Sequence, residues 1–171
     1  MKICGLLVTL AITGLLGTVV LSAQEDAARG QAELAASLNA AKVSLQQALS
    51  AGASKGKPIS GKFEVEGGKL QLSVYTVKGN KFFEVIVDHT NGAIAKSEEI
   101  TSGDDLTAAQ AQSKAMANAK LSLTEATAKA TSTNEGYRAV SSVPTIKDGH
   151  PVAEITLAKG NDFKSVSEKL D

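Results

Sequence analysis

The 171-residue chain has no tryptophan, one cysteine (Cys4) and two histidines, His89 and His150. A lone cysteine excludes an intrachain disulfide and a cysteine-built metal centre. Neither histidine has a second His or Cys at ligand spacing, so no zinc site is expected. Aromatic residues make up 4% against 43% hydrophobic overall. The core must therefore be built from Ala, Val, Leu and Ile. Such side chains bury little area each, at roughly 25 cal/mol per Å², so modest stability is expected. Lys plus Arg equal Asp plus Glu at 18 each, and no basic run stands out. Nucleic acid is not an expected partner, because phosphate binding needs clustered cations.

Catalytic patterns are missing too. Gly52-Ala53-Ser54-Lys55-Gly56 spells Gly-x-Ser-x-Gly, but helical sequence precedes it and strand-like sequence follows, the reverse of a nucleophile elbow. The stretch GKPISGK, from Gly56 to Lys62, has the wrong spacing for a phosphate loop, and strand-like sequence follows it. His89 adjoins Asp88, but neighbours on an extended chain point to opposite faces, which works against a base and its orienter. The pairs Glu98-Glu99 and Asp104-Asp105 read as a solvated link with helix-start charges. They lack the alternating oxygens and Gly turn of a calcium loop. No catalytic, cofactor-binding or metal-ligating residue is assigned, and no cofactor is expected.

What is present begins with a targeting pattern. Met1-Lys2 is positive, Ile3 to Leu21 is uncharged and mostly apolar, and Ser22-Ala23 precedes the polar Gln24-Glu25-Asp26. This order is that of a signal peptide over 1–23, cut after Ala23. The run also approaches the roughly 20 residues that span a bilayer, so an uncleaved anchor is the alternative. Either way the remainder is expected outside the cytoplasm, touching a membrane only if the segment stays uncleaved. Cys4 lies inside this segment and is given no role.

The remainder repeats. Lys42-Val43-Ser44-Leu45 matches Lys120-Leu121-Ser122-Leu123, and Lys78-Gly79-Asn80 with Phe82 matches Lys159-Gly160-Asn161 with Phe163. Two matches in one order at nearly one offset predict two units, 24–100 and 101–171, linked by TSGDDLTAAQ. Ser44 with Gln47 and Ser122 with Glu125 fit the capping box, with Val43 and Leu121 at the staple position. Helices are expected over 45–51 and 123–131. Ala-rich helices precede them near 27–39 and 108–117, and one unbroken helix in each unit is the competing reading.

Strand period follows. Lys62 to Glu66 alternates; Leu70, Leu72 and Val74 share one face, with Gln71, Ser73 and Tyr75 on the other. Phe83, Val85 and Val87 line a third strand, and Asn91-Gly92 turns onto Ala93-Ile94-Ala95. In the second unit, strands are expected over 137–143, 152–158 and 163–170, with turns at Asp148-Gly149 and Gly160-Asn161. The fold class is α+β: two tandem helix-then-antiparallel-meander units, with helices packed on one face of the sheet. The link is short and partly helical, which favours units packed together.

VSLQQAL at Val43 to Leu49 and FFEVIVDHTNGAI at Phe82 to Ile94 resemble the PepSY domain, a module of peptidase propeptides and of secreted or membrane-bound bacterial proteins. Asp88, Thr90 and Gly92 hold the family's turn positions. The second copy resembles it through Lys120 to Ala128 and the middle strand. It departs at FKSVSEKLD, which lacks the last hairpin strand. The resemblance implies a turn-shaping rather than catalytic role for Asp88, and turn chemistry agrees. It also implies a non-enzymatic, periplasmic or secreted protein. Such a module binds and regulates a protein partner, for example a secreted peptidase, through a sheet face or free edge strand. An envelope structural or assembly factor anchored by the N-terminal segment is the alternative. A small-molecule binder between the units is a third class.

Overall fold

The computed structural model describes residues 19–171. Met1-Lys2, Cys4 and most of the apolar run lie outside the described residues. Helix α1 spans Val19–Ser37, and the expected cut after Ala23 falls within it. A 3₁₀ turn at Leu38–Ala40 ends α1, and α2 runs over Leu45–Gly52. Strands β1 (Lys57–Glu66), β2 (Lys69–Lys78), β3 (Lys81–Val87) and β4 (Ile94–Ile100) follow. Then come α3 (Gly103–Ala115), a 3₁₀ turn (Met116–Asn118) and α4 (Leu123–Ser132). Strands β5 (Arg138–Lys147), β6 (His150–Lys159) and β7 (Asp162–Lys169) complete the order. The Ala-rich helices start earlier than expected and finish in 3₁₀ turns, while β1 starts at Lys57 rather than Lys62.

Each Ala-rich segment and its capped helix are two helices, not one. After the first 3₁₀ turn Ala41 is extended, and the amides of Lys42 and Val43 both donate to the His89 carbonyl, at 2.9 and 3.0 Å. After the second, Lys120 and Leu121 donate to the Leu170 carbonyl at 2.6 and 3.0 Å. Amides held this way cannot continue a helix. Both capping boxes form. The Gln47 amide reaches Ser44 Oγ at 3.2 Å, and Gln47 Oε1 accepts from the Ser44 amide at 2.8 Å. Ser122 and Glu125 repeat this at 3.2 and 2.8 Å. Val43 is buried at the staple position, whereas Leu121 is exposed.

All seven strands share one antiparallel sheet in the order β4-β3-β2-β1-β5-β6-β7. The two meanders meet at β1 and β5, joined by only two residue pairs, Gly61 with Ser142 and Lys62 with Ser141. Registers run in step. Gly61 pairs with Val74 and Ser142 with Ile155; Val74 pairs with Val85 and Ile155 with Val166. Each residue of β1, β2 and β3 thus has a counterpart 81 positions on. Both inner strands carry a bulge, between Pro58 and Ser60 and between Ala139 and Ser141. Their hairpin turns match as well. Gly67-Gly68 and Asp148-Gly149 have positive φ at both residues, as a two-residue turn compatible with strand twist requires.

The core lies between one sheet face, here the inner face, and helices α2 and α4. Helix α2 rests on β1, β2 and β3, α4 rests on β5, β6 and β7, and the two helices touch. Leu45, Leu49, Leu72, Val74, Val85, Leu123, Ile155 and Leu157 are fully or almost fully buried there. Gly61 lets α2 settle: a Cβ there would lie 3.0 Å from Leu49 Cδ2 and 3.2 Å from Leu45 Cδ1.

The α+β class is as expected, and α2 and α4 share one face. Helix α3 lies on the other. Val74 touches Gly52 of α2, so Tyr75 and its cross-strand partner Ser60 point away from α2. Ser60 Oγ donates to Gln112 of α3 at 2.7 Å. The outer face here carries Ser60, Lys62, Gln71 and Ser73, and α3 meets it mainly through alanines, with its one leucine, Leu106, only half-buried. Accordingly α3 buries only Ala109 and Ala115.

Two basic side chains cross between the halves. Lys57, opening β1, donates to the Met116 carbonyl at 3.0 Å. Arg138, the corresponding residue of β5, donates to Leu38 O at 2.9 Å and Val43 O at 3.2 Å. Its guanidinium lies 5.2 Å from the Phe63 ring centroid. The carbonyls of Leu38 and Met116, which open the two 3₁₀ turns and already accept from the Ala41 and Ala119 amides at 3.1 and 3.4 Å, thus take a second donor from the opposite half.

Candidate interaction surface

The turn at Asp88 is built by its own side chains. Asp88 Oδ1 accepts from the Thr90 amide at 2.7 Å, the Thr90 hydroxyl at 2.6 Å and the Asn91 amide at 3.3 Å. Oδ2 accepts from Asn91 Nδ2 at 3.0 Å. The Thr90 hydroxyl first, then the Thr90 amide, hold this carboxyl below the ordinary carboxylate range. A carboxylate so engaged is a turn clamp. His89 accepts α2's leading amides through its carbonyl, while its Nδ1 is buried without a partner. It forms no dyad with Asp88.

The other singled-out residues have structural places. His150 is exposed beside Asp171. Glu98 and Glu99 lie in β4, not in the link, paired with Lys96 at 2.7 Å and Lys81 at 2.8 Å. Asp104 and Asp105 sit in the first turn of α3, where the helix dipole favours negative charge. GKPISGK runs into β1. Phe82 and Phe83 are partly buried against the core. Among the described residues no three His, Cys, Asp or Glu side chains are grouped to hold a metal.

Two hollows flank α3 on the outer face. One is an acidic trough of about 280 Å³ lined by Lys62, Glu64, Glu66, Gln71, Tyr75, Glu84 and Asp105. Lys62 is tied to Glu64 at 2.6 Å, which leaves carboxylates in excess. Tyr75 donates to Glu84 at 3.2 Å. Burial first, then the nearby Glu84 and Glu64 carboxylates, raise its phenol well above the ordinary tyrosine range, so it stays a neutral donor. The other hollow is a groove of about 500 Å³ between α3 and β5, lined by Ala108, Ala111, Ala115, Val143, Pro144, Thr145 and Ile146 with Lys114 and Gln112 at its edge. Val143 is the outer-face apolar residue of β5 here, only partly buried, while Ile146 shares the inner strand face of Ser142 and Pro144. Sequence reading ended this strand at Val143 and so missed the groove, although alternation continues to Lys147.

No protein-family model, curated protein or solved structure matches the chain.

Proposed function

We propose that this chain is an extracytoplasmic, PepSY-type binding module without enzymatic activity, which docks a protein partner on its outer sheet face and regulates it. The resemblance of Val43 to Leu49 and Phe82 to Ile94 points to a secreted peptidase as that partner. One observation carries the reading: an acidic trough and an apolar groove walled by Val143 and the alanines of α3 lie either side of that helix. Exposed apolar surface rimmed by charge is the pattern of a protein contact. Its complement is a partner surface bearing an apolar side chain beside Lys or Arg.

The test is capture from periplasm or culture medium with the tagged protein, followed by inhibition kinetics on any peptidase recovered. Val143→Asp and Asp105→Asn should each weaken capture while leaving the circular dichroism spectrum unchanged. The reading fails if the wild-type protein neither associates with nor inhibits co-secreted peptidases. Intact mass of the exported chain checks the targeting: a processed protein starts at Gln24.

A further inference from the structure

The sheet has two edges, and they differ. Strand β4 pairs with β3 through a register shift between Ile86 and Val87, and its central residues are all exposed. Strand β7 pairs with β6 without interruption from Lys159–Asp162 to Val152–Lys169. It contains no proline or glycine, and Phe163, Lys164, Val166 and Glu168 are only partly exposed. A long, regular edge is a template for another strand. The corresponding strand of the first half, β3, has its outer edge filled by β4.

We propose that β7 pairs antiparallel with β7 of a second copy, giving a two-fold dimer with one continuous sheet. The register follows from charge. Centred on Val166, it sets Val166 opposite itself, Lys164 opposite Glu168 of the other copy, and Ser165 opposite Ser167. Opposite-charge cross-strand pairs stabilise such a ladder, whereas like charges oppose it. Glu168, Val166 and Lys164 lie on the inner face, since Val166 pairs with Ile155 and Glu168 binds Lys129 of α4 at 2.6 Å. Both copies therefore keep their capped helices on the same side. A slip of one residue would place the two helix layers on opposite sides and set Phe163 against Glu168. The molecule already uses this solution once: at the β1–β5 seam Gly61 pairs with Ser142, its own counterpart. Because the contact is self-complementary, it closes at two copies.

Sedimentation equilibrium of the purified protein should show twice the 17.6 kDa chain mass. Lys164→Glu alone and Glu168→Lys alone should lose the dimer, and an equimolar mixture of the two should regain it. Glu168→Lys also loses its bond to Lys129, so a second set tests the dyad itself. Val166→Lys and Val166→Glu should each be monomeric with unchanged circular dichroism, and together should form a heterodimer. A wild-type protein that stays monomeric at the highest concentration reached overturns the proposal. So does a dimer that none of these variants dissociates, or mixtures that stay monomeric. Partner capture on the outer face is read separately, so either result stands without the other.

Discussion

Replacing Arg138 with methionine tests the crossed contacts between the halves. The side chain is partly buried, and its partners in the structure are the Leu38 and Val43 carbonyls and the Phe63 ring. A hydrogen bond from a charged group contributes about 1.5–3 kcal/mol net, and leaving a buried acceptor unmet costs about as much. The guanidinium–ring contact adds about 0.5–1 kcal/mol. Against this, methionine no longer pays the desolvation that already lowers the arginine pKa. Taking the low end for both bonds and allowing for that relief, the loss is about 3 kcal/mol. For a chain of this size that is a fall in Tm of about 6–12 °C. Arg138→Lys keeps the charge but reaches only one carbonyl at a time, so it should recover about half. Lys57→Met, which loses a single bond at 3.0 Å, should cost about 1–1.5 kcal/mol. Urea unfolding at neutral pH, followed by far-ultraviolet circular dichroism, ranks the three variants. An Arg138→Met loss below about 1 kcal/mol, or one equal to that of Lys57→Met, would refute the argument that the bidentate contact matters.

Thr127 in α4 and Ser142 in β5 are fully buried with hydroxyls lacking partners. Thr127→Val should therefore stabilise the chain, by about 1 kcal/mol in urea unfolding; a clear loss would mean that the hydroxyl has a partner. Ser44→Ala and Ser122→Ala should each cost about 1 kcal/mol by opening a capping box, read as a drop in the urea midpoint. Gly61→Ala should cost about 1–3 kcal/mol, because its Cβ pushes on Leu49 and Leu45; an unchanged melting temperature would show that α2 slides freely. Asp88, Glu125 and Glu154 are held below their ordinary range. The causes are the Thr90 hydroxyl, the Ser122 amide, and Lys147 together with Ser167, respectively. Their stabilisation is complete above the unfolded-state carboxylate pKa of about 4 and is lost as pH falls through the lower folded values. The urea midpoint should therefore drop on acidification below about pH 4. Asp88→Asn should shrink that drop, and a flat profile would contradict the assignment.

Features written within a few residues were legible in the sequence. The capping boxes at Ser44 and Ser122, the two-residue turns and the alternation of Leu70, Leu72 and Val74 are local, and local rules govern them. The class of fold followed from their order. Features that depend on distant residues were not legible. The break between α1 and α2 was expected from the Ser44 cap, but the His89 carbonyl that holds it lies 46 and 47 residues from the amides it binds. The outer-face position of α3 depends on Ser60 meeting Gln112. Nothing near Arg138 in sequence shows that it caps Leu38. The apolar groove was missed because Thr145 lies beyond the point where the strand was expected to stop, and because α3, its other wall, was expected on the opposite face. The turn at Asp88 was read correctly because every group that binds its carboxylate lies within three residues.

The seam between β1 and β5 has a kinetic meaning. The hairpins of the two meanders close over two-residue turns, or over residues 88–93 between β3 and β4, so their contacts are short in sequence and cheap in loop entropy. The seam joins residues about 80 positions apart through two pairs, hemmed in by the bulges at Ile59 and Val140. Folding should therefore proceed from the two meanders inward and reach the centre of the sheet last. In native-state hydrogen exchange that middle line, rather than either outer edge, should open first.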